Sequence, residues 1–96
     1  MNPARLADKE KRVREAIILY EELLKSGGAE RQDILNLIVL YFNCMDLGYA
    51  SALKVGTDIE AVASSRALEL VTLAEIKYGL SDELTYWRSM IPFYGW

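Results

Sequence analysis

The sequence predicts an all-α domain built of antiparallel helical hairpins, with about four main helices and no convincing strand. Three observations carry this expectation. Apolar residues recur at three- and four-residue spacing along most of the chain, the period of a helix with a buried face. Capping residues and glycines alternate at intervals that a helix fills. Two stretches, "REAIILYEELLKSGG" and "SRALELVTLAEIKYG", repeat one pattern at a constant offset of 51 residues.

The first helix opens on Asn2 as N-cap with Pro3 at the first helical position, where the missing N–H costs nothing. It reads as continuous up to "SGG", with an apolar stripe of Leu6, Val13, Ala16, Ile17, Tyr20, Leu23 and Leu24 and a wet side of Lys9, Glu10, Arg12 and Glu22. Glycine ends it by accepting the left-handed conformation. The second helix spans about Glu30 to Asp46, with Asp33 near its positive N-terminal end. It carries two apolar stripes, Ile34, Leu37, Ile38, Tyr41 and Met45 on one side and Leu35, Val39 and Phe42 on another. A helix apolar on two sides is central or awaits a partner.

Gly48 reads as the next stop, and "YASALKVG" after it fits either a short helical turn or an ordered loop. The third helix starts at "TDIE", where Thr57 can cap and Glu60 can complete a capping box, and runs through Ile59, Val62, Ala63, Ala67, Leu70, Val71 and Ala74 to Gly79. Ser81 caps the fourth, which has Asp82 and Glu83 in its first turn, carries Leu84, Trp87 and Ile91, and stops at Pro92. Short loops make such helices antiparallel neighbours. Ile17, Tyr20, Leu37, Tyr41, Leu70, Ala74 and Trp87 are expected in one buried cluster.

The 96 residues suit a single domain: a first unit over about 3–46, a spacer over 47–57, a second unit over 58–91 and an aromatic tail over 92–96. An apolar share of 52 % with 26 % charged residues is that of a folded globule. The net charge of −3 argues against nucleic-acid binding, and in the one basic run, "KEKRVR", Glu10 and the following Glu15 dilute the charge. Cys44, the only cysteine, cannot form an internal disulfide, which fits a reducing compartment. No signal-peptide pattern opens the chain, and "ILNLIVLYFNCM" is shorter than the ~20 apolar residues a membrane span needs. A cytoplasmic protein with no membrane association is expected.

The inventory of reactive side chains points away from catalysis. With no histidine, the commonest general base near neutral pH is missing, and neither a serine nor Cys44 has a histidine to activate it. Cys44 lies between apolar residues, the setting of an inert thiol. One cysteine makes no zinc cage, no calcium-loop spacing occurs, and Gly27-Gly28 lacks the strand and lysine of a phosphate cradle. Neighbouring carboxylates, Glu21 with Glu22 and Asp82 with Glu83, point apart on a helix. No catalytic residue, metal site or cofactor is expected.

In the repeated pattern Ala16, Leu19, Tyr20 and Leu23 correspond to Ala67, Leu70, Val71 and Ala74, each set followed after a turn by an acid-started helix. Ala16 and Tyr20, the glycine turn, and then Leu37 and Tyr41 resemble the tetratricopeptide (TPR) family, read from the second helix of one repeat into the first of the next. The offset is longer than the roughly 34 residues of that repeat. Gly28 and Gly79 stand at its usual turn proline, and Ile38 stands where it has a glycine. A plain four-helix bundle is the alternative.

The resemblance implies a scaffold that grips a protein or peptide. It puts Gln32, Leu35, Val39, Phe42 and Asn43 on the concave binding surface, unless the chain itself or a second copy covers them. Phe93 and Trp96 of the tail either cap the last helix or project into a second molecule. The expected function is therefore a non-catalytic interaction module such as an adaptor, a chaperone or an inhibitor. Its mild acidity suits a basic partner surface, and a structural homo-oligomer, such as a homodimer, is the alternative.

Overall fold

The computed structural model describes residues 2–94, the side chains of Leu47, Phe93 and Tyr94 excepted. Six helices follow one another: α1 (Pro3–Lys9), α2 (Val13–Ser26), α3 (Arg31–Asn43), α4 (Leu47–Ala52), α5 (Thr57–Tyr78) and α6 (Asp82–Tyr94). No strand occurs among the described residues. The four longer helices form two hairpins, α2 with α3 and α5 with α6, joined where α3 packs along α5. Against the sequence reading, the first helix is two. Asn2 caps α1 through Oδ1, which accepts from Arg5 N at 2.8 Å, as expected. The helix then ends at Lys11, whose φ of 61° is left-handed.

Backbone bonds explain that break. Arg12 N donates to Ala7 O at 2.9 Å and Lys11 N to Asp8 O at 3.0 Å, the paired closure of a Schellman motif. The same closure ends α2 with Gly28 N on Leu23 O and Gly27 N on Leu24 O, and ends α4 with Val55 N on Ala50 O and Lys54 N on Ser51 O. Glycine fills the left-handed place in α2; lysine fills it in α1 and α4. Because the chain turns at Lys11, α1 folds back on α2 and buries Ala4 and Ala7, while Leu6, assigned to the stripe, is exposed.

Asp33 is 1 % exposed and joins α1 to the start of α3. It accepts from Glu30 N at 2.9 Å, from Arg5 Nε at 2.8 Å and from Asn2 Nδ2 at 3.2 Å. Ile34, Leu35, Leu37, Ile38, Leu40 and Tyr41 are all buried, so α3 is the central helix that its two stripes announced. Gly48 lies inside α4 and does not stop a helix; Asp46 starts that helix, its Oδ1 accepting from Tyr49 N at 3.1 Å. The open question of the spacer resolves as a helix followed by a left-handed turn.

Thr57 is not the cap of α5. Gly56 holds that place at φ 102°, with no side-chain cap. Arg14 Nη1 donates to Val55 O at 2.7 Å, and the guanidinium forks onto Asp58 at 2.8 and 3.0 Å. The positive φ favours glycine here, and a Cβ at Gly56 would stand 2.6 Å from Arg14 Nη1, so any larger residue would push the guanidinium aside. Along α5, Ile59, Ala63, Ala67, Leu70, Val71 and Ala74 are buried, and Val62 is exposed. The three alanines on this face let neighbouring backbones approach closely.

Ser81 caps α6, accepting from Leu84 N at 3.2 Å. Pro92 does not stop that helix but sits in its last turn, where its missing N–H removes a single bond, to the Arg88 carbonyl. Of the expected cluster, Ile17, Tyr20, Leu37, Tyr41, Leu70 and Ala74 are buried, and Trp87 packs partly buried against them. The offset places corresponding residues alike at two of its four positions: Ala16 and Ala67 are both fully buried, as are Tyr20 and Val71, whereas Leu19 and Leu23 are less covered than Leu70 and Ala74.

Candidate functional site

The five helix residues assigned to a concave surface do not share one surface. Leu35 is 4 % exposed and belongs to the core. The rest of its stripe is more open: Val39 is exposed and Phe42 is partly buried. Gln32 is exposed and donates from Nε2 to Asn36 Oδ1 at 2.7 Å. Val39, Phe42 and Asn43 line two separate hollows, with Asn43 common to both. The side chain of Phe93 and the whole of Trp96 lie outside the described residues.

The first hollow is a cleft of about 430 Å³ between the C-terminal end of α3, α4 and α6. Phe42 and Met45 form one wall, Tyr86 and Met90 the other, and Tyr49 stands at the α4 end. The Phe42 ring lies 4.9 Å from that of Trp87, tilted by 60°, and Tyr86 meets the same indole edge-on at 5.0 Å. Trp87 thus braces both aromatic walls, in geometries that rings favour. Asn43 and Asp46 supply the polar rim. Tyr86, Met90, Met45 and Tyr49 were not assigned from sequence; the run "TYWRSM" carries the signal, since successive aromatic residues on one helix cannot all face the core.

The second hollow, about 460 Å³, lies on the other side of Asn43 and Tyr49. Val39, Leu40 and Leu53 give it an apolar lining, and Asp8, Lys11 and Asn36 are its polar members. A chain of hydrogen bonds backs it. Asn36 Nδ2 donates to the Tyr20 hydroxyl at 3.0 Å, and that hydroxyl donates to Asp8 Oδ2 at 3.2 Å. Burial pushes the Asp8 carboxyl above its ordinary range against the Tyr20 bond, and pushes the Tyr20 phenol up to about 12.

Ion pairs fix the helices around these hollows. Glu21 on α2 takes two bonds from Arg66 on α5 and one from the Tyr41 hydroxyl on α3. Burial opposes the Glu21 charge, but Arg66 and Tyr41 outweigh it and hold the carboxyl low. Arg88 bonds Glu75 and the Thr72 hydroxyl, tying α6 to α5. The two arginines of the basic run are paired as well, Arg12 locally with Glu10 and Glu15 and Arg14 with Asp58 on α5.

Cys44 is fully buried, and burial with the field of Glu60 pushes its thiol up to about 11, far from the reactive thiolate. Among the described residues no three Asp, Glu or Cys side chains gather to hold a metal ion, and no helix is long and apolar enough to cross a membrane. Compared with protein-family models, curated proteins and solved structures, the chain matches none.

Proposed function

We propose that this chain is a non-catalytic, TPR-like interaction module of the cytoplasm that grips an apolar segment of a partner protein in the cleft between α3, α4 and α6. The observation that carries this reading is the lining of that cleft: three aromatic rings and two methionines around a gap of about 430 Å³, edged by Asn43 and Asp46. Such a lining offers area to bury and adaptable surface, while the polar rim sets register. Phe42 and Asn43 belong both to this cleft and to the surface that the TPR resemblance implies. The hairpin pairs α2–α3 and α5–α6 support the same resemblance. The net charge of −3 favours a basic partner.

Tyr86 is 52 % exposed, so a charge there leaves the core untouched. Tyr86→Glu should still fold, losing no more than about 0.5–1.5 kcal/mol with its ring contact to Trp87, and only the wild type should retain its partner in capture from native lysate. Undiminished capture by Tyr86→Glu would remove the cleft from the account.

A second reading, a structural homo-oligomer, is favoured by one observation. Ile76 and Leu80, at the α5–α6 turn, are 79 % and 82 % exposed, and exposed large apolar residues close together mark contact surfaces. Mass in solution separates the two: a monomer supports the module, a tight symmetric dimer the oligomer.

A further inference from the structure

Four carboxylates of this chain are withdrawn from solvent to a buried or intermediate degree and hydrogen-bonded by side chains of other elements: Asp8, Glu21, Asp33 and Glu75. Three of them hold an arginine: Glu21 pairs with Arg66, Asp33 with Arg5 and Glu75 with Arg88. Asp8 is the exception. The Tyr20 hydroxyl at 3.2 Å is its side-chain donor, and among the described residues no lysine or arginine nitrogen pairs with it. A carboxylate taken from water without a cation destabilises the fold that contains it. Here the charge borders a hollow of about 460 Å³ with an apolar lining, within the size range of ligand sites.

We infer that this hollow receives a lysine or arginine side chain of the partner protein, its cationic head paired with the Asp8 carboxylate and its aliphatic stem laid along Val39, Leu40 and Leu53. The chemistry of the lining selects this occupant. Asp8 is the only carboxylate lining the hollow, too few oxygen ligands for a divalent metal ion. Apolar surface beside a single carboxylate matches a side chain with a long methylene stem and a charged tip. Tyr49, which lines the hollow too, adds an aromatic ring for the cation to meet. Lys11 lines the same hollow, but its exposed side chain makes no ion pair with Asp8, and its charge opposes a cationic guest.

The inference rests on the protein-binding reading only for the source of the cation. Asn43 and Tyr49 separate the hollow from the aromatic cleft, so a partner seated in the cleft could place a basic residue here.

The test needs no partner. Nα-acetyl-lysine methylamide, the norleucine analogue and the glutamate analogue are titrated into the isotopically labelled chain, and backbone amide shifts are followed by NMR. The lysine compound should move the amides of Asp8, Val39 and Leu53 and half-saturate at about three- to tenfold lower concentration than norleucine, the preference expected of a partly desolvated ion pair. Glutamate should bind more weakly than norleucine. In Asp8→Asn, which keeps an acceptor for Tyr20, lysine and norleucine should become equal. Lys11→Asn, which tolerates the left-handed turn, should widen the lysine preference. Equal binding of lysine and norleucine by the wild type would overturn the inference, as would a preference that persists in Asp8→Asn. Should Asp8→Asn fail to fold, Lys11→Asn decides: a widened preference supports the inference and an unchanged one overturns it. Failure here leaves the cleft to its own test at Tyr86.

Discussion

Arg66 on α5 grips Glu21 on α2 through two parallel hydrogen bonds, Nε to Oε2 at 2.8 Å and Nη2 to Oε1 at 2.7 Å. The Tyr41 hydroxyl of α3 donates to the same Oε2 at 2.6 Å. Three helices therefore converge on one half-buried carboxylate, and its fork geometry suits arginine and not lysine. Replacing Arg66 by Ala leaves Glu21 shielded with one donor. The expected loss is about 1–3 kcal/mol, below the value for a fully buried pair because both side chains keep some solvent. Arg66→Lys should recover only part of it. Urea denaturation of the two variants checks both statements.

Acid should weaken the fold in a defined window. Glu21 and Asp33 have carboxyls held below their ordinary values of 4.5 and 3.8, against the opposing effect of burial, by Arg66 with Tyr41 and by Arg5 with the Glu30 N–H. The unfolded chain then binds more protons than the folded one, so their contribution is complete above the ordinary values and is lost as pH falls through the folded ones. Asp8 works in the opposite sense, because its folded value is raised. The unfolding midpoint should drop below about pH 4.5, and Asp33→Asn should flatten that drop while lowering stability at neutral pH. A midpoint constant from neutral pH to pH 3 would contradict the assignment of both groups.

The two lysines at left-handed helix ends carry a conformational cost that glycine would not. Lys11→Gly and Lys54→Gly should each leave stability unchanged or raise it by up to about 1 kcal/mol, the gain in the turn being partly offset by the freer unfolded chain. Gly56→Ala should lower stability instead, since φ there is positive and the new methyl group would push Arg14 Nη1 off Val55 O and Asp58. Thermal melts of the three variants decide this.

Leu37 is 1 % exposed at the centre of α3. Leu37→Ala should lose about 2–5 kcal/mol, a large share of the stability of so small a domain. An unchanged denaturation midpoint would displace α3 from the centre of the fold.

The all-helical class, the four longer helices and most of the core were legible because apolar spacing and Ser81-type caps act locally; Ala4, Ala7, Leu40, Ala50 and Val55 were not, and Leu35 was given to the surface. The break at Lys11 was not. A glycine rule finds the closure at "SGG" and misses the same closure where lysine takes the left-handed place, and it misreads Gly48, which helix α4 simply contains. The cap at Gly56 was hidden for another reason: Arg14, 44 residues from its partner Asp58, decides the local geometry of that junction. Of the candidate surface, Phe42 and Asn43 were within reach, since a helix apolar on two sides must present its second stripe to something. Tyr86 and Met90 were not, because which face of α6 meets α3 depends on how the two hairpins pack.

In the proposed function, the cleft walled by Phe42, Met45, Tyr86 and Met90 is where this chain meets another protein. Photo-cross-linking tests it most directly. A photoreactive residue replaces Tyr86 in one version and Glu22 on α2, outside the cleft, in another, and both are irradiated in native lysate. Position 86 should give a discrete adduct whose added mass is that of a different protein, with position 22 giving no such band. An adduct at twice the mass of the chain would make the cleft a self-association surface, and an absence of any adduct at 86 beyond that at 22 would contradict the claim.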